Sequence, residues 1–343
     1  MKKRVRIKDV ADYLGISTST VSRALNPNTT SKISEEVITE VRETAIKLGY
    51  IADFTAACLR KQKTYTVGIV VPDILNPLFP AIIKGAQDYL SQSGYVTFIA
   101  SSNNNQSLAA NEIQKLIARK VEGIIIASAF LKDKSVQFCI KQNIPLVLVN
   151  RSIQNEHLTH RVLNDDAYGM QLSIDHLQQL GHRHLIHFAG PQTISQGKER
   201  LEAFLAYCQK KGVEGEVLQL DAFNVEAGVK GTDAFLKRGS KASAVLAAND
   251  LIAMGVIQRL QQKGYHLPEE YSVMGFNGMF LSDMVHPSLT TVTVSHQQLA
   301  EQAARLLLQE IENPGGPKQT LLLSPKLTIR NSTATHIPKI LQN

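Results

Sequence analysis

Hydroxyl side chains and one arginine dominate a short segment near the amino terminus. Residues 16–25 read ISTSTVSRAL, which is poor material for a hydrophobic core. Small hydroxyl side chains let a helix approach a DNA groove closely and can hydrogen-bond base edges or phosphates, while Arg23 can reach a guanine or a phosphate. The residue types therefore predict a surface that contacts DNA.

The elements around this segment must form a small helical unit to present it. Apolar residues recur at helical spacing before it: Ile7, Val10, Ala11 and Leu14. Gly15 can end that helix, and Ser17 can cap a second helix that runs to residue 24 or 25. A third helix, capped by Ser34 and ended by Gly49, can brace the pair. Two short helices joined by a tight turn predict a helix-turn-helix unit whose second helix enters the major groove.

Charge is concentrated in the same part of the chain. The net charge of the 343 residues is +7, and residues 1–63 hold twelve Lys/Arg against seven Asp/Glu, a net charge of +5. The remaining 280 residues are nearly neutral. A small basic module on a nearly neutral large one is typical of a nucleic-acid-binding head.

The head resembles the DNA-binding domain of the LacI/GalR family of bacterial transcription regulators. The resemblance rests on IKDVADYLGISTSTVSRALN, followed by KIS…V…A…LGY. It implies that Thr18, Ser19 and Arg23 read operator bases and that Thr20 and Ser22 contact phosphates. With Ser17 as the helix cap, these are the residues we expect at the DNA.

The resemblance continues into a hinge helix over residues 51–63. Ala56 and Leu59 match the family's Ala-x-x-Leu pattern, which implies that Leu59 from each of two subunits wedges into the minor groove. Two residues depart from the pattern: Ala52 replaces a Pro, and Asp53 replaces the Asn that caps the hinge helix. Asp caps a helix well, but its charge is less favourable beside phosphates.

From residue 64 onward, short β-branched runs alternate with amphipathic helical segments. Alternation of this kind predicts parallel sheets with right-handed crossovers. No Gly-rich phosphate fingerprint follows the first run, which disfavours a nucleotide-binding domain. The predicted strands are TVGIVVP, YVTFIAS, VEGIIIA, IPLVLVN, HLIHFAG, SAVLAAN, YSVMGFN and LTTVTV.

The large domain resembles the periplasmic-binding-protein-like effector domain of the same family. Stretches such as GIVVPDILNPLFP, ERLEAF, AANDLIAMG and GFNGMFLSDM carry the resemblance. It implies an α/β fold: an all-α head (residues 1–50), the hinge (51–63), and two lobes with parallel sheets around an effector cleft (64–343), joined by three crossovers. The implied effector-binding residues are Asp73, Leu78, Phe79, Ser128, Asn150, Arg200, Phe223, Asn249 and Asn277.

Two of these residues bear on the class of effector. Asn150 and Asn277 stand where sugar-binding members of the family often carry Asp. An amide donates as well as accepts hydrogen bonds and does not repel an anion. With Arg200 present, our hypothesis is that the pocket suits a ligand with a carboxylate or a phosphate, such as a sugar acid; neutral sugars remain an alternative.

Other function classes fit the sequence less well. The three cysteines (Cys58, Cys139 and Cys208) have no metal-ligand spacing and favour a reducing cytoplasm. The histidines between residues 157 and 187 favour a structural or surface role, so we expect no catalytic site, metal or cofactor. A solute-binding protein of the same fold is the alternative, which the basic head and the lack of a signal peptide disfavour. The polar tail after Arg330 favours a homodimer over a tetramer, and no segment suggests a membrane partner.

Overall fold

The computed structural model describes residues 5–25, 33–50 and 63–337. Contacts divide the chain into two compact units, Met1–Thr64 and Tyr65–Asn343, called here the head unit and the large unit. The hinge prediction for residues 51–62, including Ala56 and Leu59, lies outside the described residues. Within the described ranges, no helix is both long enough and apolar enough to cross a bilayer.

The head unit contains three helices in its described residues. They are α1 (Ile7–Leu14), α2 (Thr18–Ala24) and α3 (Glu35–Leu48). Gly15, with φ +67°, ends α1 in the left-handed conformation that glycine adopts without steric cost. One residue cluster holds the three helices together, and its buried members are Val10, Ala11, Val21, Ala24 and Val41. The predicted helix-turn-helix arrangement is confirmed.

The large unit alternates strands and helices. In chain order its elements are β1 (Thr66–Val71), α4 (Phe79–Gln92), β2 (Val96–Ser101), α5 (Gln106–Ala118), β3 (Gly123–Ile126), α6 (Lys134–Lys141), β4 (Leu146–Val149), a 3₁₀ turn (Glu156–Leu158), β5 (His160–Asn164), α7 (Asp166–Gln179), β6 (His184–Ala189), α8 (Ser195–Lys211), β7 (Glu214–Gln219), α9 (Val225–Lys237), β8 (Ala244–Ala247), α10 (Asp250–Gln262), β9 (Ser272–Asn277), a second 3₁₀ turn (Phe280–Asp283), β10 (Thr290–Thr293), α11 (His296–Glu312), β11 (Thr320–Leu323) and β12 (Lys326–Thr328). All eight predicted strands are present, and β5, β7, β11 and β12 were not predicted.

Two six-stranded sheets form two lobes. Lobe 1 has the strand order β11-β5-β4-β3-β1-β2, and lobe 2 has the order β12-β10-β9-β8-β6-β7. Every pairing is parallel except that of β12 with β10. The chain crosses between lobes three times, after β5, after β10 and after β11, as predicted.

The central strands are buried along their whole length because helices cover both faces of each sheet. Strands β3, β4 and β8 read GIII, LVLV and AVLA and have no exposed residue. Continuous apolar runs of this kind are characteristic of parallel sheets. The buried strands fix the position of the polar residues at their carboxyl ends, where ligands of such sheets bind.

Candidate functional site: the second helix of the head and the inter-lobe face

Helix α2 presents the predicted DNA-contacting side chains. Its cap forms as expected, since the Thr20 N–H donates to Ser17 Oγ at 3.1 Å. Thr18, Ser19 and Arg23 are exposed. Val21 and Ala24, on the opposite face, are buried in the cluster of the head unit. The cap and the buried face together hold the exposed side chains on one surface.

Local hydrogen bonds order that surface further. Ser17 Oγ lies 2.7 Å from Ser19 Oγ and 2.9 Å from Thr20 Oγ1. The Arg23 Nε–H donates to the Ser19 carbonyl at 3.3 Å. Thr20 and Ser22 are half-buried. A hydroxyl can donate and accept in turn, so these groups can exchange their local bonds for bonds to DNA.

The large unit holds its candidate site where the carboxyl edges of the two sheets meet, called here the inter-lobe face. Three hydrogen bonds join the lobes directly. The Ser152 N–H donates to Ser195 Oγ at 2.9 Å, and the Gln196 amide donates to Asn150 Oδ1 at 2.9 Å. The Leu131 N–H donates to the Thr193 carbonyl at 3.0 Å. The amino-terminal end of α8 in lobe 2 therefore contacts the ends of β3 and β4 in lobe 1.

Two predicted asparagines occupy equivalent positions in the two lobes. Asn150 follows β4 and Asn277 ends β9, and both are buried. Their φ angles are 66° and 110°, a region that few residues other than glycine adopt and that asparagine tolerates better than most. Asn150 Oδ1 also accepts from Asn164 Nδ2 at 3.4 Å. The structure thus places both side chains at the inter-lobe face, and their role in binding a ligand stays a prediction.

Arg200 lies beside a carboxylate that the sequence did not indicate. Its Nη2 lies 2.9 Å from Asp166 Oδ1, and both side chains are almost fully buried. The guanidinium also donates to the carbonyl of Ala248 and, at 3.3 Å, to Asn277 Oδ1. It lies 3.7 Å from the centre of the Phe276 ring. Arg200 therefore joins α8, β8, β9 and the first crossover, and its charge is neutralised.

The remaining polar residues divide between the site and local structure. Ser128, which follows β3, is buried, and its hydroxyl has no hydrogen-bond partner in the part of the chain that the structure describes. Asn249 caps α10 by accepting from the Ile252 N–H, and its amide donates to the Phe223 carbonyl. Asp73 is half-buried and accepts from the Leu75 N–H at 2.9 Å. Asn249 thus joins its own loop to the loop that holds Phe223, whereas Asp73 is engaged within its own loop.

The predicted apolar residues differ in how much surface they offer. Leu78 and Phe79 are 5% and 3% exposed and belong to the core cluster of lobe 1. Core packing covers most of both side chains, and their assignment to the cleft wall stays a prediction. Phe223 is half-buried, and its ring lies so close to Gly190, at the end of β6, that a Cβ there would meet the ring at 2.3 Å.

Sequence reasoning missed several residues at this face. They are Arg151, Asn164, Asp166 and Gln196. Each lies at a strand end or in the first turn of a helix that follows a strand, and that position is the signal that could have identified them. No pattern in the sequence alone pairs Asp166 with Arg200, because the contact spans a crossover between lobes.

Several histidines of the large unit are buried. Burial, with a smaller contribution from the nearby charge of Arg200, lowers the pKa of His187 and of His296 to about 4. His182 also has a pKa near 4, and it hydrogen-bonds the hydroxyls of Ser243 and Ser272. Among the residues that the structure describes, no three His, Cys, Asp or Glu side chains are grouped so that they could hold a metal ion.

Comparison with known protein families covers both units. A model described as "Bacterial regulatory proteins, lacI family" matches residues 6–53. A model described as "Periplasmic binding protein-like domain" matches residues 174–333. The HTH-type transcriptional regulator GalR of Escherichia coli (strain K12) is 30% identical over 331 residues, which cover 96% of each chain. The ribose operon repressor of Halalkalibacterium halodurans is 28% identical over 327 residues, 95% of this chain and 96% of that protein.

Solved structures show the same architecture. The lac repressor dimer bound to operator and the anti-inducer ONPF superposes with a TM-score of 0.86 at 23% identity, covering 97% of this chain and 100% of that one. At this identity the likeness concerns the fold. A LacI family transcriptional regulator from Enterococcus faecium with bound ribose has a TM-score of 0.70 at 27% identity, covering 79% of this chain and 100% of that one. The chain belongs to the LacI/GalR family of bacterial DNA-binding transcriptional regulators.

Proposed function

We propose that the protein is an effector-controlled repressor that binds a pseudo-palindromic operator as a homodimer. Helix α2 carries this proposal, because it exposes Thr18, Ser19 and Arg23 on a short helix fixed by the Ser17 cap. A second helix held in this way is the element that enters the major groove in helix-turn-helix proteins. In this proposal Thr18, Ser19 and Arg23 read base edges, and Thr20 and Ser22 position the helix on phosphates.

The proposal is tested by selecting the preferred site of the full chain from random duplex DNA and measuring affinity by fluorescence anisotropy. We expect two inverted half-sites. Arg23→Ala should weaken binding to the selected site by about 1–3 kcal/mol and relax the preference at one base pair of each half-site.

Arg42 supplies the matched control, since it is an exposed arginine on α3 rather than on α2. Arg42→Ala should leave the base preference unchanged and reduce affinity, if at all, for every sequence alike. Equal base preferences in the wild type and in Arg23→Ala would contradict the role of Arg23.

The effector is proposed to be a sugar, a sugar acid or a related metabolite that binds at the inter-lobe face. The names of the relatives above include a ribose operon repressor, and one solved relative holds ribose. Few hydrogen bonds join the two lobes in the described residues. Two of them, from Gln196 to Asn150 and from Ser152 to Ser195, lie at the proposed ligand site. A ligand that contacts both lobes would favour one lobe arrangement by its differential affinity, and so change operator affinity.

Exposed apolar side chains support the dimer. Val96, Phe98 and Ile99 on the edge strand β2 are 58%, 38% and 41% exposed. Phe280 and Met284 in lobe 2 are 64% and 74% exposed. Apolar groups exposed together mark association surfaces, and a two-fold axis in the protein matches an inverted-repeat operator. Sedimentation equilibrium should give twice the chain mass; a monomer at micromolar concentration would contradict this part of the proposal.

Two further expectations belong to the same proposal. Because the relatives named above are transcriptional regulators, we propose that the chain acts by binding rather than by catalysis. Because its target is DNA, we propose that it acts in the cytoplasm of a bacterial cell.

A further inference from the structure

Arg151 is a buried arginine whose charge has no counter-ion at the inter-lobe face. It follows β4 and is 4% exposed. Its Nη2 donates to Asn104 Oδ1 at 3.1 Å, while Nε and Nη1 are buried and have no hydrogen-bond partner among the described residues. Within residues 5–25, 33–50 and 63–337, no carboxylate oxygen lies within 4.0 Å of its nitrogen atoms. Buried arginines are almost always paired, so Arg151 lacks a partner that its environment requires.

The other buried arginines of the large unit differ from it. Arg200 forms an ion pair with Asp166. Arg161 donates to the hydroxyls of Ser152 and Thr320 at 3.0 and 2.8 Å. Burial lowers the pKa of Arg151 to about 10, and no neighbouring carboxylate offsets that effect. Among the described residues, Arg151 therefore has fewer hydrogen-bond partners than either of these arginines.

The position of Arg151 is that of a ligand-binding residue. Lobe 1 has the strand order β2-β1-β3-β4, so the order reverses between β1 and β3. Arg151 follows β4 and contacts Asn104 in the loop after β2, so the two side chains connect loops at the carboxyl ends of these strands. Open α/β sheets bind ligands in the crevice at this reversal. The hydroxyls of Ser102 and Ser128, which follow β2 and β3, are also buried and have no partner within the described ranges.

The loop after β2 holds the guanidinium in a fixed orientation. Asn104 adopts φ 53°, and its N–H donates to the Pro72 carbonyl at 2.8 Å. Arg151 has five N–H donors, of which Asn104 takes one on Nη2. Whichever hydrogen of Nη2 is taken, one edge of the guanidinium keeps two parallel N–H groups. Two parallel donors match the two oxygens of a carboxylate or a phosphate.

We propose that Arg151 binds an anionic group, a carboxylate or a phosphate, on the effector. The proposal rests on the proposed function, which places the effector at the inter-lobe face. It does not depend on how the head recognises operator DNA. The hydroxyls of Ser102 and Ser128 supply further donors at the same edge. Asp166 neutralises Arg200, so Arg151 is the residue that gives the pocket its preference for negative charge.

Paired ligands test the proposal by thermal unfolding of the full chain. The phosphate pair is D-glucose 6-phosphate against D-glucose, and the carboxylate pair is D-gluconate against D-glucitol. Inorganic phosphate serves as a minimal anion, and sodium chloride keeps ionic strength equal. We expect at least one anion to raise the Tm by several degrees while its neutral counterpart does not. Whether the phosphate pair or the carboxylate pair shows this difference identifies the anionic group. Equal shifts from neutral compounds, or no shift from any anion, would overturn the proposal.

Variants separate a binding role from a structural one. Arg151→Met should abolish the anion shift and raise the Tm of the unliganded protein, because it removes an unpaired buried charge. Arg151→Lys, which keeps the charge but loses the fork, should retain part of the shift. Arg161→Met is the matched control and should lower the Tm without removing the preference for anions. An anion shift that persists in Arg151→Met, or a lower unliganded Tm in that variant, would contradict the assignment.

Operator binding measured on the same samples distinguishes the two proposals. An anion that stabilises the wild type without changing operator affinity would contradict control by the effector and leave the Arg151 site in place. A neutral sugar that changes operator affinity, while anions change neither the Tm nor that affinity, would contradict the Arg151 proposal. Control of operator binding by the effector would then stand.

Discussion

The buried pair of Arg200 and Asp166 links elements that are distant in the chain. Their side chains are 1% and 4% exposed, and the arginine also bonds the end of β8 and Asn277. Asp166→Asn keeps the shape of the side chain but leaves the guanidinium without a counter-ion. We expect a loss of about 3–5 kcal/mol in the free energy of unfolding, measured by urea denaturation of the full chain.

Lys84 and Asp88 form an exposed ion pair that serves as a control for this prediction. Solvent screens such a pair, so Asp88→Asn should change the unfolding free energy very little. Similar losses of unfolding free energy in Asp166→Asn and Asp88→Asn would contradict the prediction that burial makes the loss of one partner more destabilising.

At the scale of elements, helices α9 and α10 approach each other closely through glycines. A Cβ on Gly255 would lie 2.1 Å from the Val225 carbonyl, and one on Gly228 would lie 2.2 Å from the Ile252 carbonyl. Helix propensity alone would make Gly255→Ala stabilising by about 1 kcal/mol. Because the new methyl group forces the backbones apart, we expect a net destabilisation of about 1–3 kcal/mol, measured by thermal unfolding.

Gly316 provides the comparison, because a Cβ there would meet nothing within 4 Å and its φ is not in the left-handed region. Gly316→Ala should therefore leave stability nearly unchanged or slightly higher. A Gly255→Ala variant as stable as Gly316→Ala would argue against close packing of the two helices.

Periodicity and turn residues predicted most elements, and the misses have physical causes. Ser17 was expected to cap α2 and does, whereas Ser34 stands at the cap position of α3 without a side-chain bond. The unpredicted strands β7, β11 and β12 lie at sheet edges, where one neighbour suffices and no continuous apolar run is needed. At the site, strand ends predicted the positions of Asn150 and Asn277, whose role in binding a ligand stays a prediction. Pairings such as Arg200 with Asp166 depend on which loops the crossovers bring together, and that information is not local in sequence.

At the scale of the molecule, buried histidines make stability depend on pH. His182, His187 and His296 have pKa values near 4, while the unfolded chain titrates near pH 6.5. Between these values the unfolded state binds more protons, so the free energy of unfolding falls as the pH falls from about 6.5. Asp250 acts in the opposite direction, because burial raises its pKa to about 6.

His296→Gln tests this dependence, because His296 Nε2 is buried and no described residue hydrogen-bonds it. The wild type should lose several degrees of Tm between pH 7.5 and pH 5, and the variant should lose less. At pH 5, one fully buried neutral ring lowers the free energy of unfolding by about 2 kcal/mol relative to its value at neutral pH. His286 is exposed, so the Tm of His286→Gln should change with pH as that of the wild type does. Identical slopes in all three proteins would refute the contribution of His296.

The three crossovers also govern how the chain can fold during synthesis. Helix α11 covers strands of lobe 1 and packs against α4, yet it leaves the ribosome more than 200 residues later. At about 5–20 residues per second, this delay is on the order of 10–40 s. During that interval the apolar face of α4 lacks its partner, so nascent lobe 1 is open to chaperones and proteases. A ribosome that stops before residue 296 therefore releases a regulator whose head can be complete but whose effector-sensing half has no finished lobe 1.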